Sequence, residues 1–185
     1  MRKLLNEELD RKTQEEFHNA KKNPVIILLD DVRSMNNVGS VFRTADAFLV
    51  EAVYLCGFTP VPPHREIQKT ALGATETVTW KHSHSALETI RQLKEEGWKI
   101  YSIEQAENSV SLLDFIPAEK EKLVLIFGNE VEGVRQELVN ESDSVIEIPQ
   151  YGMKHSLNIS VSVGIVTWDV VGKVGKVGKQ EIGNW

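Results

Sequence analysis

The sequence has little cysteine and no long apolar run, and each of these shortages excludes a class of protein. Cys56 is the single cysteine among 185 residues, so one chain cannot form an internal disulfide or a thiolate metal cluster. No apolar run approaches the roughly 18 residues of a membrane span, and the amino terminus lacks a signal-peptide pattern. We therefore expect a cytoplasmic protein with neither a membrane nor a metal partner.

Short apolar runs alternate with helical patterns along most of the chain. We predict helices over 3–20, 38–49 and 156–171, a short helical stretch ending near Leu72-Gly73, and a helix from an N-cap at Ser83 to Glu96. We predict strands at 25–29, 52–56, 76–80, 98–103, 123–127 and 144–148. This alternation predicts βαβ units, and hence an α/β fold with a mostly parallel sheet covered on both faces. Ligands bind such sheets where loops leave the carboxyl ends of strands, which here are 30–37, 128–133 and 149–156.

The chain divides into one main domain with two short flanks. We expect an N-terminal helical extension over 1–24, an α/β domain over 25–171, and a flexible C-terminal tail over 172–185. The tail begins with GKVGKVGK, whose glycines disfavour a stable helix.

The first candidate motif, DDVRSMNNVGSVFRTAD, occupies residues 30–46. Here Asn37, Gly39 and Arg43 surround the start of a predicted helix. Gly39 would allow another backbone or a ligand to approach closely. The motif alone leaves a plain alternative, in which Asn37 only caps the helix and Arg43 is only a surface residue.

The second motif, LVLIFGNEVEGV, occupies residues 123–134 and runs from a strand into a loop between Gly128 and Gly133. It is not a phosphate loop, because Val134-Arg135 stands where Lys-Ser or Lys-Thr would be needed, and the dinucleotide pattern G-x-G-x-x-G is absent. Taken alone, it could also be a glycine-rich turn between a strand and a helix.

The third motif, IPQYGMKHSLNISVSVGIV, occupies residues 148–166. Small polar residues stand at the start of an apolar helix, where a buried and unpaired group would cost about 1–3 kcal/mol. Either they serve a site, or Ser156 and Asn158 simply cap the helix.

In order and spacing, the three motifs together resemble the SpoU, or TrmH-type, RNA ribose 2′-O-methyltransferases. The matching patterns are Asn-x-Gly-x-x-x-Arg-Thr-Ala-Asp-Ala at 37–47, Gly-x-Glu-x-x-Gly at 128–133 and Ile-Pro-x-x-Gly-x-x-x-Ser-Leu-Asn-x-Ser-Val at 148–161. The resemblance implies a SPOUT-type parallel sheet flanked by helices with a C-terminal deep trefoil knot. It also implies S-adenosylmethionine as methyl donor, an RNA substrate, and a homodimer with its active site near the subunit interface.

The resemblance also implies roles for particular residues. Those expected at the reaction centre are Arg43, Asn37, Glu130, Ser156 and Asn158. Those expected around the donor are Gly128, Ile148, Leu157, Gly133 and Met153. Basic residues in or beside the site loops are candidates for RNA contact, namely Arg33, Arg65, Lys69, Lys154 and His155, although His155 could equally be an ordinary loop residue.

The function expected from this resemblance is methylation of a ribose 2′-hydroxyl in structured RNA. We favour tRNA over rRNA, because only short segments flank the domain and could read the RNA. Two alternatives stay open: a non-catalytic RNA-binding or assembly factor on the same fold, and a SPOUT enzyme that methylates a base. His82-x-His84 could suggest a metal, but no cysteine or carboxylate cluster adjoins it.

The net charge argues at face value against an RNA partner, since 21 Lys and Arg stand against 27 Asp and Glu, giving −6. Binding, however, depends on where the positive groups lie. Acidic residues concentrate in 7–16 and 88–96, whereas basic ones stand in the site loops. We therefore expect a locally basic cleft and an RNA affinity that falls as salt rises.

Overall fold

The chain folds around a parallel β-sheet. A computed structural model describes residues 1–9, 11–154 and 156–177. Its strands are β1 Asn23–Asp30, β2 Val50–Cys56, β3 Trp80–Ser83, β4 Lys99–Ile103, β5 Val110–Ser111, β6 Leu123–Phe127 and β7 Ser144–Glu147. They stand in the order β3-β2-β1-β6-β4-β7-β5, and every pairing between neighbours is parallel. The predicted parallel α/β sheet is confirmed.

Helices cover both faces of this sheet. They are α1 Gln14–Asn19, α2 Met35–Ala47, α3 Arg65–Ala71, α4 Ala74–Thr77, α5 Ala86–Glu95, α6 Gln136–Glu141 and α7 Ile159–Val177. Successive side chains of β1 point to opposite faces: Ile27 and Leu29 pack with α2 and α7, and Ile26 and Leu28 pack with α5 and α6. A strand buried on both faces needs a continuous apolar run, as in 25–29. None of the described helices has both the length and the apolar character to cross a membrane.

The predicted amino-terminal helix over 3–20 is wrong in its extent. A 3₁₀ turn spans Asn6–Glu8, and α1 starts separately after Thr13. The Thr13 hydroxyl accepts from the Glu16 N–H, and the Glu16 carboxylate accepts from the Thr13 N–H. This capping box ends any continuous helix before residue 14, because it fixes Thr13 in an extended conformation.

The predicted strand over 76–80 is also wrong, because residues 74–77 form α4 and β3 begins only at Trp80. The Thr77 hydroxyl donates to Asp46 Oδ1 of α2 at 2.8 Å, so a tertiary contact overrides the strand preference of a β-branched residue. The cap of α5 is Ser85 rather than Ser83, since Ser83 is paired within the sheet. Strand β5 and helix α6 were not predicted.

Helix α7 continues beyond the predicted start of the tail, so the expectation that the glycines after residue 171 prevent a helix is wrong for 172–177. Val170 is buried and Val174 packs against the core. Lys173 Nζ donates to the Leu112 carbonyl and pairs with Asp169, each at 2.6 Å. These contacts outweigh the helix cost of Gly172, which is about 1 kcal/mol. Residues 178–185 lie outside the described part of the chain.

Gly39 lets α2 and α3 approach each other closely. A Cβ at this position would lie 2.3 Å from the carbonyl oxygen of Ile67 and 2.0 Å from Thr70 Oγ1. Thr70 Oγ1 itself donates to the Asn36 carbonyl at 3.0 Å. The backbone approach expected at Gly39 is therefore made by α3.

We predict that Gly39→Ala lowers the free energy of unfolding by about 1–3 kcal/mol, because the added methyl group overpacks this crossing. Urea denaturation measures the change. Gly164→Ala in α7 is the matched control: its Cβ would meet nothing within 4 Å, so alanine should be neutral or stabilise by up to about 1 kcal/mol. Equal stability of Gly39→Ala and wild type would contradict the close crossing.

Candidate active site

A cleft of about 470 Å³ opens at the carboxyl edge of the sheet, beside the ends of β4, β6 and β7. Its walls come from the segments that follow these strands, including 103–105, 127–133 and 156–159. Two of the three loops predicted from the strand pattern, 128–133 and 149–156, therefore contribute to one cavity. Its volume lies within the range of small-molecule sites.

The loop from Gly128 to Gly133 closes tightly because both of its ends are glycine. A Cβ on Gly128 would lie 1.9 Å from the carbonyl carbon of Gly133. Gly133 has φ +70°, and its Cβ would lie 2.1 Å from Glu104 Oε2. Asn129 Oδ1 accepts from the N–H groups of Val131 and Glu132, which fixes the turn from inside. The structure thus confirms that residues 128–133 form a glycine-rich turn after β6.

Glu130 extends from this loop to the loop after β1. Its Oε2 accepts from the Arg33 N–H at 3.2 Å, and its Oε1 accepts from the Ser34 N–H at 3.2 Å and from Asn37 Nδ2 at 3.0 Å. The first and second motifs are therefore joined directly by one carboxylate.

Asn37 continues the connection to the third motif. Its Oδ1 accepts from Asn158 Nδ2 at 3.2 Å, while Asn158 Oδ1 accepts from the N–H and the hydroxyl of Ser160. We call Glu130, Asn37 and Asn158 the polar bridge. Asn158 thus caps α7 and also contacts Asn37, so its role as a cap does not exclude a place in the site. Asn37 is not the cap of α2, since Ser34 Oγ accepts from the Asn37 N–H.

The polar bridge holds Glu130 as a carboxylate. Partial burial would raise its pKa, but the hydrogen bonds from Arg33, Asn37 and Ser34 outweigh burial, and the pKa lies below the ordinary value. A carboxylate stabilised in this way is a weak proton acceptor at neutral pH. Its geometry suits it to orient its partners.

An ion pair with a buried carboxylate supports the same two loops from below. Asp30, at the end of β1, is 1% exposed. Arg135 reaches it with two parallel hydrogen bonds, Nε to Oδ2 at 2.8 Å and Nη2 to Oδ1 at 2.7 Å. Arg135 follows directly on the Gly128–Val134 loop, so this forked pair fixes that loop against β1.

Arg43 stands apart from the cleft. It lies six residues beyond Asn37 on α2, about 9 Å along the helix axis. Its exposed side chain lines a second depression of about 520 Å³ with Ser40, Phe48 and Lys69. Within one chain, the structure does not bring the predicted Arg43 together with the polar bridge.

Most of the other predicted residues lie at or beside the cleft. Its lining includes Glu130, Ser156, Asn158, Gly128, Gly133, Ile148 and Leu157. Met153 is not part of the lining and is 86% exposed. Arg33, Arg65 and Lys154 have exposed side chains, and His155 lies outside the described residues.

Sequence reasoning missed the contribution of β4. Glu104 and Gln105, directly after this strand, line the cleft, and Glu104 Oε2 accepts from the Val134 N–H at 3.0 Å. The sequence did contain a signal for this contribution. Glu104 and Gln105 are polar residues directly after a predicted strand, which is where ligands bind parallel sheets. Nothing in the sequence pattern indicated the pairing of Asp30 with Arg135.

Residues 24–168 match the model of the SpoU rRNA methylase family. The chain belongs to this family. The family assignment from the three motifs is confirmed. The 23S rRNA (guanosine-2′-O-)-methyltransferase RlmB of Ralstonia nicotianae is 32% identical over 149 residues, which are 80% of this chain and 58% of that protein. This SpoU chain spans 58–67% of the length of its first curated relatives.

Solved structures of SpoU proteins share the fold. The TrmH/SpoU tRNA modifying enzyme of A. aeolicus superposes with a TM-score of 0.77 at 26% identity, over 89% of this chain and 82% of that one. The AdoMet-bound rRNA methyltransferase of Sinorhizobium meliloti superposes with a TM-score of 0.74 at 26% identity, over 83% and 58% of the two chains.

We predict that Glu130→Gln destabilises the fold at neutral pH and that this effect disappears in acid. Because the folded pKa of Glu130 lies below its ordinary value of 4.5, the ionised carboxylate stabilises the fold above that value. The contribution is lost as the pH falls through the folded pKa. Urea denaturation from about pH 7 down to about pH 3 should show the two proteins converging.

Glu132→Gln is the matched control in the same loop. No described hydrogen bond or ion pair involves the Glu132 carboxylate, so this variant should follow the wild-type profile. A stability difference between Glu130→Gln and wild type that stayed constant with pH would contradict the bridging role of the carboxylate.

Proposed function

We propose that this protein transfers a methyl group from S-adenosylmethionine to a ribose 2′-hydroxyl of structured RNA. Membership of the SpoU family supports the reaction class, and the relatives include an enzyme named for guanosine 2′-O-methylation. The observation that carries the proposal is the polar bridge, which joins all three family motifs beside one cleft.

The cleft fits the donor. Its volume suits a nucleoside-sized molecule, Ile148 and Leu157 offer apolar contacts, and the Gly128–Gly133 loop forms one wall of the cleft. The related S. meliloti structure is AdoMet-bound. Bound there, S-adenosylmethionine would supply the electrophilic methyl group. Gly128, Gly133, Ile148 and Leu157 would hold it, and Met153 is the least supported of the predicted contacts because it lies outside the lining.

The residues of the polar bridge align the nucleophile. Holding a hydroxyl within about 3–3.5 Å of its target in the correct direction supplies several kcal/mol. Asn37 is fixed at both ends of its amide, by Glu130 and by Asn158, so it cannot rotate freely. The hydroxyl of Ser156, which also lines the cleft, is available to the ribose. These residues position the substrate and hold its proton in a defined hydrogen bond.

The proposal includes a homodimer in which Arg43 of one protomer completes the cleft of the other. A stripe of exposed apolar side chains runs along the outer side of the α7 region, formed by Leu157, Val161, Ile165 and Trp168. Helix α2, which carries Arg43, packs against both α3 and α7 on this face of the sheet. A partner covering the stripe would lie on the face of the sheet that α2, with Arg43, also covers. The Arg43 guanidinium would then stabilise developing alkoxide charge or fork onto an RNA phosphate.

We also propose that the carboxyl-terminal part of the methyltransferase domain is knotted, as in the family. After β7 the chain passes the cleft and then places α7 against β1 and α2, while Lys173 contacts the segment after β5. Helix α7 thus packs among elements that precede it in the chain, and such a return of the chain supports a knot. Residues 1–24 then form an extension to the domain that starts near residue 25.

We predict that the wild-type protein binds S-adenosylmethionine and transfers its methyl group to RNA from a strain that lacks the protein. Asn37→Ala should lower kcat by about 100-fold, because loss of the bridge misplaces the nucleophile, with little change in donor affinity. Calorimetry measures donor binding. Tritium transfer to separated tRNA and rRNA measures kcat and identifies the RNA class.

Asn36→Ala is the matched control, one residue earlier on the same helix, where the side chain is exposed and has no described partner. Nuclease mapping for 2′-O-methyl nucleotides separates ribose from base methylation. Donor binding without methyl incorporation into any RNA would favour the non-catalytic alternative, and absence of donor binding would refute the proposal altogether.

We predict that a mixture of two inactive variants regains activity. In an equal mixture of Arg43→Ala and Asn158→Ala chains, half of the dimers are mixed, and each mixed dimer has one intact composite site, so activity should reach about a quarter of wild type. The chains are mixed after mild dissociation and assayed by tritium transfer. If Arg43 instead acted on the cleft of its own chain, no mixed dimer would hold an intact site and activity would stay absent.

A further inference from the structure

Phe58 presents an apolar ring to water at the carboxyl edge of the sheet. It follows β2 by two residues and is 88% exposed. Single exposed apolar side chains are common on protein surfaces, so exposure alone assigns nothing. Three further observations indicate a binding role for Phe58. They are the turn that holds it, the rings near that turn, and its position relative to the polar bridge.

The turn around Phe58 is rigid. The Phe58 N–H donates to Asp31 Oδ1 at 2.8 Å. Gly57 has φ +63°, and a Cβ there would lie 2.1 Å from the same oxygen. The next residue, Thr59, is buried; its hydroxyl donates to the Leu29 carbonyl and accepts from the Val32 N–H. The backbone is therefore held on both sides of Phe58, and little order has to be gained when a ligand binds.

Two imidazole rings lie next to this turn. His82 Nε2 is 3.4 Å from the Gly57 carbonyl oxygen. The rings of His82 and His84 meet edge to face, with centroids 4.9 Å apart, and both side chains are exposed. We call Phe58, His82 and His84 the ring patch. No group of three or more metal-ligating side chains occurs in the residues that the structure describes, and aromatic and imidazole rings are the side chains on which RNA bases stack.

The ring patch lies on the same edge of the sheet as the cleft. Strand β2 neighbours β1, and β1 neighbours β6, so two strand spacings, about 10 Å, separate the end of β2 from the Glu130 loop. The loop after β1 lies between them and carries the exposed side chain of Arg33. Asp31 in this loop contacts both the Phe58 N–H and, at 3.8 Å, Arg135 Nε. The patch is thus built onto the frame that holds the polar bridge.

We propose that Phe58 is a base-stacking contact for an unpaired nucleotide of the RNA that lies next to the nucleotide in the cleft. Arg33 contacts the phosphate between the two, and His82 and His84 extend the stacking surface. This contact favours substrates whose target lies in a loop, because a base inside a helix cannot leave its stack without cost. The inference rests on the proposed function and adds to it a residue that selects for unpaired RNA.

The test measures RNA binding without the methyl donor, so that it is independent of turnover. The probes are a labelled twelve-nucleotide oligouridylate, which is unpaired, and bulk tRNA. Phe58→Ala should weaken binding of both by about tenfold, which is within the range of one stacked base. The slope of log affinity against log salt should stay at the wild-type value, whereas Arg33→Ala should reduce it by about 0.7, as expected for one phosphate contact to a single strand.

Two further variants separate stacking from a general effect on structure. Leu113→Ala removes an apolar side chain that is 71% exposed, next to β5 at the opposite end of the sheet, and should bind as wild type does. Phe58→Trp should restore binding to within about twofold, because indole stacks at least as well as benzene. Its added fluorescence should be quenched by the oligouridylate, while Leu113→Trp should show no quenching.

Equal binding by wild type and Phe58→Ala would overturn the inference, and so would an unquenched Phe58→Trp or a wild type that binds neither probe. The outcome is distinct from failure of the proposed function. A wild type that binds RNA through Phe58 but transfers no methyl group would leave the stacking contact intact and refute only the enzymatic activity.

Discussion

The buried carboxylate of Asp30 determines the geometry of the loops at the carboxyl edge of the sheet, because a charge removed from water needs a partner of opposite charge. Its partner, Arg135, comes from 105 residues further along the chain and binds it through two nitrogens. Since Arg135 directly follows Val134, this pair fixes one end of the glycine loop against β1. Glu130 can then reach the N–H groups of Arg33 and Ser34 from the same loop. Without the ion pair below it, the polar bridge would join two independent loops.

The sequence was sufficient for the fold class and for the main contents of the cleft. Strands buried on both faces have a continuous apolar pattern, so β1 and β6 were recognisable, and the rule for parallel sheets located the loops after β6 and β7. Glu130, Ser156 and Asn158 were found because the motif resemblance named them. Physical reasoning from the residues alone left each of them with a simple structural alternative. For Asn158 that alternative is also true, since one side chain both caps α7 and binds Asn37.

What the sequence could not predict depends on contacts between distant residues. The strand preference of 76–80 is overridden by a hydrogen bond from Thr77 to Asp46 on α2. The glycines after residue 171 do not end α7, because Val174 and Lys173 find partners on the core and at Leu112. The position of Arg43 is a further case of this kind. Its motif predicts a role at the reaction centre, but helix geometry carries it away from the cleft of its own chain.

Most acidic groups at the carboxyl edge of the sheet are engaged in contacts that hold its loops, although the exposed Glu132 of the cleft has no such contact among the described residues. Asp30 is paired with Arg135, Asp31 accepts from the Phe58 N–H, and Glu104 and Glu130 accept from the backbone of neighbouring loops. The lining of the cleft includes Glu104, Glu130 and Glu132 but no lysine or arginine, so the locally basic cleft expected from the sequence is wrong for the part of one chain that the structure describes. The side chains of Arg33, Arg43 and Lys69, in contrast, are exposed and have no ion pair within the described ranges. The exposed cations that could meet an RNA phosphate therefore stand outside the cleft, with Arg33 in the loop after β1 and Arg43 and Lys69 in the second depression, and the net charge of the whole chain does not describe this arrangement.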